Sequence, residues 1–211
     1  MITQGAHTRG DRSCKLQSQI QGEARAQFIS NDAFLKKRMS HISMPDILVL
    51  ALYPSTRGFG FAIFKGPSRP IDWGIKDVRD DKNVSCLSKI KDLIEFYDPE
   101  VVVTEDYAEK RSRRCKRIQA LLRSITRLVE EKRITNFRVP RATIRSFYSR
   151  FGARTKYERA KFISDQFPEF ELQPPPPRRI WMSEDPRMSI FDAAALALMY
   201  WYGKEEERKS A

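Results

Sequence analysis

Cysteine is scarce in this chain: Cys14, Cys86 and Cys115 are the three in 211 residues, odd in number and far apart. Such spacing offers no disulfide framework and no metal-binding pairs, and it implies a reducing, cytoplasmic compartment. Long hydrophobic runs are also missing. The longest, Ala193 to Tyr202, is too short to span a bilayer. Met1 to Met44 has no continuous apolar segment, so no secretory signal is expected there. Acidic residues are thin over one long segment. Between Tyr107 and Lys161 there are 18 Lys/Arg against 4 Asp/Glu, a balance of +14 in a chain whose net charge is +12. The rest is therefore close to neutral. A solvated helix face would explain a short basic run, but over so long a segment the clustering points to a polyanion, and hence to nucleic acid.

What is present centres on Ile47 to Phe64. Ile47 to Leu52 is an unbroken apolar run, as expected of a strand buried on both faces. Tyr53 to Gly58 reads as a turn, with Pro54 fixing φ and Gly58 permitting positive φ. Phe59 to Phe64 is a second strand in which Gly60 allows close backbone approach. Ile71 to Val78 is a third strand at hairpin distance.

The remaining elements follow in order. Asn83 is a candidate N-cap for a helix over Val84 to Tyr97, with Leu87, Ile90, Leu93, Ile94 and Tyr97 on one face. Glu100 to Thr104 is a short buried strand, and a strand–helix–strand order implies parallel pairing. Arg111 to Lys132 has the strongest helical period, with Ile118, Leu121, Leu122, Ile125, Leu128 and Val129 inward. Lys110, Arg111, Arg113, Arg114, Lys116 and Arg117 crowd its start, where positive charge opposes the helix dipole. Bound phosphate explains that cluster better than local stability does; a solvated charged turn is the simpler alternative. Ile134 to Val139 is a strand, Thr143 to Phe151 a short helix, and Thr155 with Glu158 forms a capping box opening a helix to Gln166. Arg141, Arg145, Arg150, Arg154, Lys156, Arg159 and Lys161 lie among aromatics there, a pattern suited to backbone contact and base stacking, although Phe147 and Phe151 also fit simple packing. Four prolines to Pro177 favour an extended path. Ser189 is expected to cap a buried helix over Ile190 to Tyr202, stopped by Gly203. Residues 1–43 read as a disordered extension, 44–203 as one domain and 204–211 as a charged tail.

Ala51-Leu52-Tyr53-Pro54-Ser55-Thr56, Val101 to Glu105 and Asp192-Ala193-Ala194-Ala195-Leu196-Ala197 together resemble RuvC-type Holliday-junction resolvases of the RNase H-like superfamily. The resemblance covers Ile47 to about Tyr202. It implies an α/β fold with a mixed sheet, three antiparallel strands followed by parallel ones, flanked by helices. It further implies Mg²⁺ or Mn²⁺, branched or duplex DNA as partner, a homodimer, and acids at the first strand's end, the fourth strand's end and the last helix. Glu105 and Asp192 occupy two of those places. Tyr53 and Ser189 stand where the other two acids belong, and Asp185 or Asp106 is a candidate substitute. The resemblance thus makes Glu105, Asp192 and Asp185 the catalytic, metal-holding set.

Two-metal phosphodiester hydrolysis needs several converging carboxylates. A phenol with a pKa near ~10 is neutral at pH 7 and a poor Mg²⁺ ligand. Each acid also has a plainer reading: Asp192 could complete a capping box with Ser189, Glu105 could pair with a helix arginine, and Asp185 could serve a turn. Three functions compete: a metal-dependent endonuclease on branched DNA, a catalytically inactive relative that only binds nucleic acid, and half of an actin-like ATPase. The last is disfavoured by Pro54 and Arg57 in the turn that would have to cradle phosphate.

Overall fold

The apolar runs become the middle of a five-stranded sheet in the computed structural model, which describes residues 46–107, 114–179 and 181–210, the last six of these as backbone only. The strands are β1 (Leu48–Pro54), β2 (Gly58–Lys65), β3 (Pro70–Asp77), β4 (Val101–Glu105) and β5 (Thr135–Val139), ordered β3-β2-β1-β4-β5. β1 pairs antiparallel with β2, and β2 with β3; β4 pairs parallel with β1 and with β5. This is the mixed sheet expected from the sequence. The helices are α1 (Lys82–Tyr97), α2 (Lys116–Glu131), α3 (Arg141–Ser149), α4 (Lys156–Gln166) and α5 (Met188–Ser210).

Side chains alternate across a strand, so the two faces of β1 go to different partners. Leu50 and Leu52 join Phe59, Phe61, Ile63 and Val102 in a core shared with Ile90, Ile94, Leu121 and Ile125 of α1 and α2. Each fully buried aliphatic side chain contributes about 1.5–3 kcal/mol. The opposite face receives α5, and Gly60 sets how close it comes. A Cβ there would sit 2.4 Å from the carbonyl of Ser189. Gly60 is also the register partner of Tyr53. The missing side chain therefore brings the start of α5 against the end of β1.

Several boundaries differ from the sequence reading. β1 runs on through Tyr53 and Pro54, leaving only Ser55–Arg57 for the turn. Asp81, not Asn83, precedes α1; the Asn83 amide instead donates to the Arg117 carbonyl and its oxygen accepts from the Arg117 guanidinium. α2 begins at Lys116, because Cys115 is still extended at φ −63°, ψ 154°. α3 starts directly after Pro140, whose own φ of −61° suits an N-cap position. The capping box is present as expected, Thr155 accepting from the Glu158 N–H and Glu158 accepting from the Thr155 N–H. Ser189 caps nothing: its hydroxyl donates to the Pro186 carbonyl at 2.6 Å, and α5 continues past Gly203 to Ser210. Among the described residues no helix is long and apolar enough to cross a membrane. The expected extension, residues 1–43, lies outside the described residues.

Candidate functional site

At the carboxyl-terminal tip of the sheet, β1, β4 and α5 bring Tyr53, Glu105 and Asp192 together. All three are buried, at 6%, 2% and 8% exposure, and all three line one cavity of about 380 Å³. Tyr53 faces this cleft because it is on the same face of β1 as Ala51, the face that α5 covers. Glu105 is the last residue of β4, one strand over. Asp192 lies one turn beyond the contact of α5 with Gly60.

Every carboxylate here already has a cation. Arg114 donates from Nε to Glu105 Oε2 at 3.0 Å and from Nη2 to the same oxygen, and Arg141 lies 4.0 Å from Oε1. The Lys156 ammonium is 2.9 Å from Asp192 Oδ2, off hydrogen-bond alignment, and 2.6 Å from Glu184. Arg159 is 3.6 Å from Asp192 Oδ1. The same two cations meet on the phenol ring. Arg114 Cζ is 4.5 Å and Lys156 Nζ 5.1 Å from the Tyr53 ring centroid, both within cation–π range.

The electrostatics follow from burial and these partners. Burial, and next Asp192, push the Tyr53 phenol above the ordinary tyrosine range, against the pull of Arg114 and Lys156. Burial works against the Lys156 ammonium, but Asp192, Tyr53 and Glu184 outweigh it and hold Lys156 protonated beyond the usual lysine range. Arg114 behaves alike, with Tyr53, Glu105 and Asp192 outweighing its burial. At neutral pH the phenol is therefore neutral and Lys156 and Arg114 are held as cations.

The other expected site residues are spread more widely. Asp185 lines an adjoining cavity of about 320 Å³ together with Tyr53 and Asp192. Its carboxylate accepts from Arg187, from the guanidinium at 2.8 Å and the backbone N–H at 2.9 Å, and the Arg187 hydrogen bonds hold its pKa below the ordinary range. Asp106 follows β4 and donates its N–H to the Val139 carbonyl. Of the basic residues expected on nucleic acid, Lys110, Arg111 and Arg113 lie outside the described residues. Lys116, Arg145 and Arg150 are exposed. Arg114, Arg117 and Lys156 are turned inward instead. Arg117 donates to the Ser55 carbonyl at 2.6 Å, bracing the β1–β2 turn. The basic start of α2 therefore does have a local rationale: Arg114, just ahead of the helix, and Arg117 in its first turn satisfy an acid and a carbonyl at the sheet tip. Arg159 was expected only as one of the basic residues suited to nucleic acid, not as a partner of Asp192. Its spacing of three from Lys156 on α4 was the available signal, since residues i and i+3 share a helix face.

These donors do not fit a divalent metal. Mg²⁺ needs free carboxylate oxygens at close range, with room for several waters. Here Glu105 and Asp192 are engaged by Arg114, Lys156 and Arg159, and an entering ion would meet three like charges. Among the described residues no group of three or more His, Cys, Asp or Glu is placed to hold a metal ion. Tyr53→Asp alone would not restore one, because Arg114 and Lys156 would pair with the new carboxylate.

Neither protein-family models nor curated proteins match the sequence. Solved structures do match the fold. Thermus thermophilus RuvC aligns with a TM-score of 0.55 at 14% identity, over 76% of this chain and 97% of that one. T. thermophilus RuvC in complex with Holliday junction substrate aligns at 0.55 and 13%, over 75% and 96%. The yeast mitochondrial Holliday junction resolvase Ydc2 aligns at 0.52 and 13%, over 83% and 87%. The chain therefore has the RNase H-like fold of these resolvases.

Proposed function

We propose that this protein binds nucleic acid, branched or duplex DNA, through an RNase H-like domain that does not cut it. The observation that carries this reading is the pairing of the expected metal-holding acids with cations: Arg114 on Glu105, Lys156 and Arg159 on Asp192, and Tyr53 between. Without converging free carboxylates, no metal-bound water is generated and no leaving oxygen is steadied. Binding is supported by the +14 balance of residues 107–161 and by exposed Lys116, Arg145 and Arg150. Branched DNA is supported by the fold neighbour solved on a Holliday junction substrate. Phosphate contacts release counterions, so affinity falls steeply as salt rises.

The test is a four-way junction assay over a Mg²⁺ and Mn²⁺ series, reading shift and cleavage together. The expected result is a salt-sensitive shift with no metal-dependent product. Cleavage that is lost in Glu105→Gln would favour the endonuclease reading instead, and absence of any shift at low salt would remove the nucleic-acid reading.

A further inference from the structure

We propose that the cleft beside Tyr53 has been inverted in charge and is an anion site, taking a phosphate group directly on arginine and lysine with no metal ion between. Five cationic side chains line the cavity of about 380 Å³, Arg141, Arg145, Arg154, Lys156 and Arg159, against the two carboxylates Glu105 and Asp192. The balance inside is +3. From outside this lining Arg114 pairs with Glu105 and Glu184 pairs with Lys156, which leaves the balance unchanged. A site that has to attract divalent cations carries the opposite sign.

Arg159 supplies the second, independent observation. It is only 9% exposed, and its buried Nε has no hydrogen-bond partner. Buried donors are nearly always paired, so the unpaired Nε leaves this cavity-lining guanidinium with donor capacity beyond its contact with Asp192. Guanidinium groups present forked donors that match phosphate oxygens, and the contact is charge-assisted. Thr155, also in the lining, accepts the Glu158 N–H as N-cap of α4 and keeps its hydroxyl proton to donate. The first-turn N–H groups of α4 add the favourable end of a helix dipole. The volume suits one phosphate with its ester arms and excludes a duplex.

The phosphate has two sources, free inorganic phosphate or a phosphate of a nucleic-acid strand. Only the second rests on the nucleic-acid reading above. The experiment titrates inorganic phosphate into the full chain in chloride buffer with EDTA, followed by calorimetry and ³¹P line broadening. A short oligonucleotide with a 5′-phosphate, and its unphosphorylated twin, then compete for the site. The expected result is saturable binding of one phosphate per chain, unchanged by EDTA. Arg145→Ala/Arg154→Ala should weaken it roughly tenfold or more, through loss of two charge-assisted contacts. Arg159→Gln should do the same, and because Arg159 is buried the exposed double variant carries the test if that protein does not fold. Competition by the phosphorylated strand alone assigns the site to a strand end; equal competition by both assigns it to backbone phosphate. No saturable binding, binding that needs Mg²⁺, or unchanged affinity in the double variant would overturn the anion site. Junction binding that persists while phosphate binding is absent removes this site and leaves the nucleic-acid reading standing. Phosphate binding in a chain that holds no DNA upholds the site and assigns it to free phosphate.

Discussion

The middle of the sheet and its carboxyl-terminal tip are equally buried and physically unlike. Val49 to Leu52 are wholly inaccessible, and Tyr53, Glu105 and Asp192 nearly so. In the middle, burial itself is the stabilising term, non-directional and proportional to area. At the tip burial is a cost, offset by partners placed to within hydrogen-bond distance. A truncated core residue leaves a void, whereas a truncated tip residue leaves a charge without a counterpart. Exposure alone therefore cannot tell a core from a site; the partners do.

The largest effect should come from breaking that pairing at the tip. Arg114→Ala leaves Glu105 buried and alone, and should cost about 3–5 kcal/mol in urea unfolding. The double change Arg114→Met/Glu105→Met should recover most of that loss, since apolar replacement of a whole buried pair is often neutral. In the middle no such recovery exists: Leu50→Ala should cost about 2–5 kcal/mol through its cavity. If the Arg114/Glu105 double variant were no better than Arg114→Ala, the tip would behave like core and the contrast would be lost.

Alkaline pH should separate the regions next. Folding holds the protons of Tyr53 and Lys156 more tightly than the unfolded chain does. The unfolded chain releases its protons first above about pH 10, so stability is full below that value and falls as pH rises further. Lys156→Met should show a shallower alkaline fall in denaturation midpoint than wild type, while Leu50→Ala should run parallel to it. Smallest of all is Tyr53→Phe, which keeps the ring that Arg114 and Lys156 contact. It should change stability by under about 1 kcal/mol, and Tyr53→Ala by clearly more.

Much of the sheet was legible in the sequence because its cause is local. The apolar runs, Gly60 as a point of close approach, the period of α2 and the Thr155/Glu158 capping box are each written within a few neighbouring residues. The convergence of Tyr53, Glu105 and Asp192 on one cavity was also anticipated, through the family resemblance of their positions. Their neutralisation was anticipated only in part: an arginine on Glu105 was the plainer reading of that acid, as Arg114 supplies, while the cations on Asp192 were not foreseen. Arg114 reads as one more member of an exposed basic run, and its pairing with Glu105, nine residues back, is not written in its neighbours. Lys156 reads as a surface contact, and only the packing of α4 on α5 sets it beside Asp192. The same limit applies to Ser189, whose cap signature was overridden by the turn from Asp185 into α5, and to Pro54, which the antiparallel pairing with Phe59 keeps in the strand.

The most direct measurement is Mn²⁺ binding, by calorimetry and electron paramagnetic resonance, to wild type and to Tyr53→Asp/Arg114→Ala/Lys156→Met. Removing two of the three cations and placing a carboxylate at the end of β1 supplies the donor chemistry a divalent ion needs. The prediction is no saturable Mn²⁺ binding in wild type at millimolar metal, with saturable binding gained in the triple variant. Stoichiometric Mn²⁺ binding by wild type, abolished by Glu105→Gln, would contradict the claim that the chain's own cations, and not a metal ion, neutralise these acids.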